Sequence, residues 1–230
     1  MNEPLASCVC PTFNRPHLLN ELVYCFLNQD YENKELIILN DKVDVIYQYN
    51  DPRVKIFNYN ERFYSLGAKR NRSRDLVNGE YIFIMDDDDI YYSNHISRLI
   101  EFHQENSEYD VVCNGNFDYS QDNKDVVNHP NPFPFNGACI KREYYLKNEF
   151  PNKKSSGEDQ DFVKYAKVKR IMDGKTSWHY RWGLNIWHIS GISGDGMDLY
   201  SGLSYLIEFG ELKIINIEPQ ISEDVKEYYR

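Results

Sequence analysis

Short apolar runs that stop abruptly at polar residues, with stretches of helical period between them, constrain this chain more than any other feature. Leu5 to Cys10 ends at Pro11, Leu36-Ile37-Ile38-Leu39 ends at Asn40-Asp41-Lys42, and Tyr81 to Met85 ends in Asp86-Asp87-Asp88-Asp89. Val54 to Phe57 is a further extended candidate. A strand that is apolar on successive residues is buried on both faces, as in a parallel sheet covered by helices. The segments between fit that cover. Asn14-Arg15-Pro16 reads as a helix start with Pro in the first turn, and Leu18, Leu19, Leu22, Val23, Phe26 and Leu27 follow at helical spacing. Leu66, Ala68, Leu76 and Val77 are weakly helical up to Asn78-Gly79, and Ile96, Leu99, Ile100 and His103 line one face of another helix. The expected fold class is α/β, with a central, mostly parallel sheet flanked by helices.

In such sheets ligands bind beyond the carboxyl ends of the strands. The loops that follow the first, second and Tyr81–Met85 strands should therefore line one crevice, and all of them are rich in Asp, Asn, Thr and Arg. The second half is less regular. Val111 to Cys113 reads as a strand, Ser120 to Lys124 as a turn, and the Pro-rich His129 to Phe135 as a loop against a groove. A helix should begin near Glu158, Trp178 to Gly196 is aromatic and Gly-rich, and Leu212 to Ile217 suggests a last strand. With 230 residues, no internal repeat and no clean linker, a single domain is expected.

Composition narrows the partners. The chain carries 26 Lys and Arg against 36 Asp and Glu, a formal charge of −10, which weighs against generic binding to nucleic acid or anionic membrane. Five cysteines (Cys8, Cys10, Cys25, Cys113, Cys139) are an odd number, four of them lie among apolar neighbours, and they read as core residues of a protein kept reduced. Met1-Asn2-Glu3-Pro4 shows no basic n-region leading into an apolar stretch, and no window approaches the roughly 18 apolar residues of a membrane span, so the expected location is cytoplasmic.

The aspartate run carries the most chemistry. In extended backbone Asp86 and Asp88 share a face while Asp87 points elsewhere. No basic residue lies between Glu80 and Arg98, so the carboxylates need a cation or protonation to relieve their repulsion. A hard divalent cation with open positions for phosphate oxygens, Mg²⁺ or Mn²⁺, suits an oxygen-only set. The competing reading is an acidic surface turn or an adventitious Ca²⁺ site. The second feature is basic: Lys69, Arg70, Arg72 and Arg74, of which one or two should neutralise a diphosphate, against the alternative of a solvated helix face. Trp178, Trp182 and Trp187 either stack on a sugar ring or pack the interior.

Taken in order, Ser7-Cys8-Val9-Cys10-Pro11-Thr12-Phe13-Asn14-Arg15, Glu35-Leu36-Ile37-Ile38-Leu39-Asn40-Asp41, Ala68-Lys69-Arg70-Asn71 and Gly79 to Asp89 resemble the family 2 glycosyltransferases of the GT-A fold, from residue 5 to about 100. The resemblance implies a GT-A, Rossmann-like fold, with residues 1–108 as a nucleotide-sugar-binding half and 109–230 as a smaller acceptor-binding half with a C-terminal extension. It implies that Pro11, Thr12, Phe13, Arg15, Asp41, Lys69, Arg70, Asn71, Asp86 and Asp87 bind the donor, with Asp41 at the base. Asp86 and Asp88 then form the Asp-x-Asp element at a Mn²⁺ or Mg²⁺ ion, with His188 as a further ligand. Glu158-Asp159 resembles the family's Glu-Asp pair, which makes Asp159 the base that deprotonates the acceptor and Glu158 and Trp182 acceptor-binding residues.

The chain departs from the family at Asn40-Asp41-Lys42, where two aspartates and Gly-Ser are usual, and this leaves base preference open. It also has Trp178 where the processive members' Gln-x-x-Arg-Trp motif begins, ahead of Arg181-Trp182. The implied activity is transfer of one sugar, with inversion, from a nucleotide diphosphate sugar (UDP by default) to a hydroxyl of a glycan, protein or small molecule. Rival readings are a sugar nucleotidyltransferase, which should have a Gly-rich loop where this chain has Pro-Thr-Phe-Asn-Arg, a catalytically idle carbohydrate-binding or scaffold protein, and a glycosyltransferase acting on modified DNA bases.

Overall fold

The computed structural model describes residues 3–135, 137–152, 157–183 and 211–229. The Leu5 to Cys10 run becomes β1 (Ala6–Thr12), followed by α1 (Pro16–Leu27), β2 (Lys34–Asn40), β3 (Val45–Gln48), β4 (Val54–Asn58) and α2 (Leu66–Arg72). Then come β5 (Tyr81–Ile84), β6 (Ile90–Tyr91), α3 (His95–Glu105), β7 (Val111–Asn114), β8 (Asn116–Gln121), β9 (Lys124–Pro130) and β10 (Ala138–Lys141). The described remainder holds α4 (Arg142–Lys147), α5 (Glu158–Val163), β11 (Val168–Ile171), β12 (Trp178–Trp182), β13 (Lys213–Asn216) and α6 (Glu223–Lys226).

Seven strands form the central sheet in the order β11-β7-β10-β5-β1-β2-β4. The contacts of β1 with β2 and β5, of β2 with β4 and of β7 with β11 are parallel, and β10 alone runs against its neighbours β5 and β7. The mostly parallel α/β expectation therefore holds, and the sheet takes strands from both halves of the chain. Its continuous apolar runs do what their composition requires. Cys8, Cys10, Leu36, Ile38 and Phe83 face one core with Leu19, Leu22 and Phe26 of α1 and Ile96 and Leu99 of α3. Val9, Ile37, Leu39, Ile82 and Ile84 face the other, with Tyr145 of α4, Phe150 and Phe162 of α5. All five cysteines are buried and free.

A second sheet, β6-β12-β8-β9, stands beside the first, and β3 pairs with β13. Here the sequence reading needs correction. His129 and Pro130 close β9 rather than open a loop; the strand is exposed and among the described residues has one neighbour, β8, and an edge is where a strand tolerates proline. Ser120 to Lys124 does turn the chain, with Asp122 and Asn123 at positive φ between β8 and β9. No helix among the described residues is long and apolar enough to cross a membrane.

Candidate active site

The loops after β1, β2 and β5 meet at one end of the sheet, and hydrogen bonds tie them together. Thr12 Oγ1 donates to Asp87 Oδ2 at 2.6 Å, while Lys69 Nζ donates to the Thr12 carbonyl at 2.6 Å and to Asp41 Oδ1 at 2.5 Å. The other Asp41 oxygen accepts the Phe63 amide at 3.1 Å. Both partners of the Lys69–Asp41 pair are buried. Removing one of them would leave an uncompensated charge in a poorly solvated place, so the pair fixes the floor of the site.

Asp86 to Asp89 is not extended. Asp89 N donates to the Asp86 carbonyl at 3.3 Å, so the run is a turn and the strict alternation expected of a strand does not apply. Exposure alternates all the same: the Asp86 side chain is 33% exposed and Asp88 16%, whereas Asp87 is 0% exposed and Asp89 is buried. Relief of the repulsion also comes from somewhere other than the local sequence. Arg15, at the start of α1, places Nη2 2.9 Å from Asp87 Oδ1 and Nη1 3.0 Å from Asp88 Oδ2. Arg70 of α2 reaches Asp86 Oδ1 at 3.2 Å and Glu158 Oε1 at 2.6 Å. Burial pushes Asp86, Asp87 and Asp89 above the usual carboxylate range, Asp87 to about 6, while Arg70 and Arg15 pull Asp86 and Asp87 back down.

Helix α2 is placed by its own ends. Ser65 caps it, with Oγ accepting the Ala68 amide at 3.1 Å. Gly67 lies against the backbone of Pro151, where a Cβ would come 2.2 Å from the carbonyl oxygen. Asn71 exchanges hydrogen bonds with the Phe150 backbone at 2.8 Å each way, which makes it a tie between α2 and the 148–151 segment. Arg72 pairs with Asp75 and Arg74 with Glu149, both on the outside. Of the four basic residues, Lys69 and Arg70 are the ones turned into the site.

The Glu-Asp pair opens α5, directly after Gly157 at φ +90°. Glu158 is the counter-ion of Arg70, and burial pushes its carboxyl upward. Asp159 is half-buried, accepts the Gln160 amide on Oδ1 at 2.8 Å, and lies within the field of Arg70. Pro11 is buried in β1 opposite Leu39, and half-buried Phe13 carries the Arg62 guanidinium 3.8 Å above its ring. Trp182 ends β12, half-buried, 6.4 Å from the Tyr180 ring. His188, Trp187 and the rest of the 184–210 stretch lie outside the described residues.

Sequence reasoning missed the back of the site. Trp178 Nε1 donates to Asp89 Oδ2 at 2.8 Å, Arg181 N to Asp89 Oδ1 at 3.3 Å, and Arg181 Nε to the Asp88 carbonyl at 2.7 Å. Arg181 Nη1 in turn pairs with Glu21 Oε2 of α1 at 2.8 Å. The signal was present in Arg181-Trp182 but pointed only to a motif, because partners about ninety and 160 residues away are invisible to spacing.

Among the described residues no group of three or more His, Cys, Asp or Glu side chains is arranged to hold a metal ion. The donor set that is presented, the partly exposed carboxylates of Asp86 and Asp88, fits a hard divalent cation that takes its remaining ligands from phosphate oxygens and water. It does not fit a closed, all-protein site.

WcaA of Escherichia coli (strain K12), a glycosyl transferase named for colanic acid biosynthesis, is 35% identical over 133 residues, covering 52% of this chain and 47% of the relative. The chain thus spans about half the length of this curated relative. Among solved structures, S. aureus TarS 1-349 in complex with UDP-GlcNAc superposes with a TM-score of 0.65 at 18% identity, over 90% of this chain and 68% of that one. The mannosyltransferase PcManGT of Pyrobaculum calidifontis, solved with GDP-Man and Mn2+, gives 0.55 at 13% identity, over 80% and 58%. At these identities the two structures show a shared fold. The sequence profile "Glycosyl transferase family 2" matches residues 7–182, from the second residue of β1 to the last of β12, so it takes in the sheet and the whole described site, and the chain belongs to that family.

Proposed function

We propose that this chain transfers one sugar from a nucleotide diphosphate sugar, with UDP as carrier, to a hydroxyl acceptor, with inversion and with Mn²⁺ or Mg²⁺ as cofactor. One observation carries the reading: the carboxylate turn at the end of β5 presents only Asp86 and Asp88, with Arg15 and Arg70 already standing at those carboxylates. TarS and PcManGT, which share the fold, bind UDP-GlcNAc and GDP-Man with Mn2+ respectively, and this supports a nucleotide sugar as donor.

Asp86 and Asp88 would hold the ion, which when bound offsets the charge of the departing diphosphate. Arg15 and Arg70 give an anion a positive approach inside an acidic protein, and the ring of Phe13 and the Asp41–Lys69 pair bound the nucleoside side. Asp159 removes the proton of the acceptor hydroxyl as its oxygen attacks the anomeric carbon. Residues 1–108 serve the donor and 109–230 the acceptor. The name of WcaA supports a saccharide acceptor, and the reduced cysteines a cytoplasmic location.

A panel of nucleotide sugars with Mn²⁺ and saccharide acceptors tests this, with the product anomer read by NMR. Asp159→Asn should lower transfer by about 10²-fold or more while Mn²⁺-dependent UDP binding stays at the wild-type level. Transfer at the wild-type rate in Asp159→Asn would remove the assigned base.

A further inference from the structure

We propose that Arg181, held by Glu21, is a positioning residue that fixes the aspartate turn in the form the donor site needs; the inference rests on the donor-site reading above. Arg181 sits on β12 with 0% exposure, so it is not placed to meet a ligand at the surface. It grips the turn at two consecutive residues, the carbonyl of Asp88 through Nε and the carboxylate of Asp89 through its own amide. Trp178, on the same strand, takes the second Asp89 oxygen. Asp88 is thereby pinned at both ends, its carbonyl on Arg181 and its carboxylate on Arg15. The carboxylates of Asp86 and Asp88 are left partly exposed, and those of Asp87 and Asp89 are buried.

The anchor has its own support. Glu21 Oε2 receives Arg181 Nη1, and Glu21 Oε1 accepts the amide of Ser222 at 3.1 Å, so the guanidinium is oriented by a carboxylate that is itself held. Arg15 and Glu21 belong to the start and the body of the same helix, so the turn is clamped from two sides to α1. Stability alone does not account for the arrangement. Buried ion pairs add little net stability over apolar residues of the same shape, and Arg181 Nη2 is buried with no hydrogen-bond partner among the described residues, which costs desolvation energy. The return is geometric: four adjacent carboxylates repel, and a backbone held at Asp88 and Asp89 cannot relax into another turn.

The test uses the wild type, Arg181→Met and Arg181→Lys at a temperature where all are folded, with two readouts: affinity for UDP in the presence of Mn²⁺, and amide hydrogen exchange without ligand. Removing groups that orient ligand-holding residues typically costs 10–100-fold, so Arg181→Met should weaken UDP by that factor. Exchange over residues 86–92 should accelerate at least tenfold while residues 34–40 of β2 stay unchanged. A lysine reaches Glu21 or the Asp88 carbonyl with its single ammonium but does not span both, so Arg181→Lys should recover part of each effect. If Arg181→Met does not fold, Glu21→Gln, which keeps the side-chain shape and releases the guanidinium, should give the same two changes. Unchanged exchange over 86–92 overturns the inference, whether or not UDP weakens, since a loss of binding alone would make Arg181 a ligand contact. Accelerated exchange in a protein whose wild type binds no UDP with Mn²⁺ would sustain the anchoring and overturn the donor-site reading instead.

Discussion

Arg15 and Arg70 explain how four consecutive aspartates coexist at the end of a buried strand. Each reaches the turn from a different helix, and each bridges two carboxylates: Asp87 with Asp88, and Asp86 with Glu158. Histidines in the same protein show the opposite solution, burial in the neutral form. His95 is enclosed beside Phe83 and Tyr91, bonds Ser177 Oγ through Nδ1 at 3.0 Å, and is pushed down to about 3 by burial. Its unfolded value is near 6.5. The folded state therefore keeps it neutral while the unfolded state binds a proton, so its contribution is complete above pH 6.5 and is lost as pH falls towards 3, at about 1.4 kcal/mol per pH unit. In thermal unfolding, the gap between wild type and His95→Gln should narrow from pH 7 to pH 4.5. A gap independent of pH would mean that His95 is not held neutral. At this scale the sequence was partly legible. The acidic groups at the strand end and at the start of α5 could be named, because runs such as Asp86 to Asp89 and Glu158-Asp159 announce themselves, whereas Glu21, alone in a helix, did not. Their counter-ions could not be paired, because Arg15 lies more than seventy residues from Asp87 and Asp88 and Arg70 lies 88 from Glu158.

Among the elements, legibility followed burial. β1, β2 and β5 are covered on both faces and so are apolar at consecutive positions, which reads as strand without ambiguity. β10, the four residues Ala138–Lys141, sits centrally between β5 and β7 yet escaped notice because it follows a Pro-rich stretch and is too short to show a period. β8 and β12 mix polar and aromatic residues and are buried at only some positions, and β9 is exposed along its whole length, so none of them shows a continuous apolar run. Helix α2 shows how an element's placement becomes chemistry. Its Gly67 has no room for a methyl group, because the obstacle is the Pro151 backbone rather than a movable side chain. Gly67→Ala should shift α2, cost about 1–3 kcal/mol in urea denaturation, and weaken UDP binding by drawing Arg70 off Asp86 and Glu158. Wild-type stability and binding in that variant would show that α2 has slack.

For the molecule as a whole, a formal charge of −10 is compatible with an anionic donor because the charge is not spread evenly. Part of the acidity is concentrated where three loops converge, and there it is balanced by the buried Arg70 and Lys69 and the partly buried Arg15 rather than left to solvent. Under the function proposed above, the diphosphate enters together with a cation that restores the local balance of charge. The most direct measurement is calorimetric titration of UDP into wild type and Asp88→Ala, each with Mn²⁺ and with chelator. Binding by the wild type that requires Mn²⁺, and its loss by at least tenfold in Asp88→Ala, is the expected result; UDP binding that is equal with and without metal, or equal in the two proteins, would contradict the account.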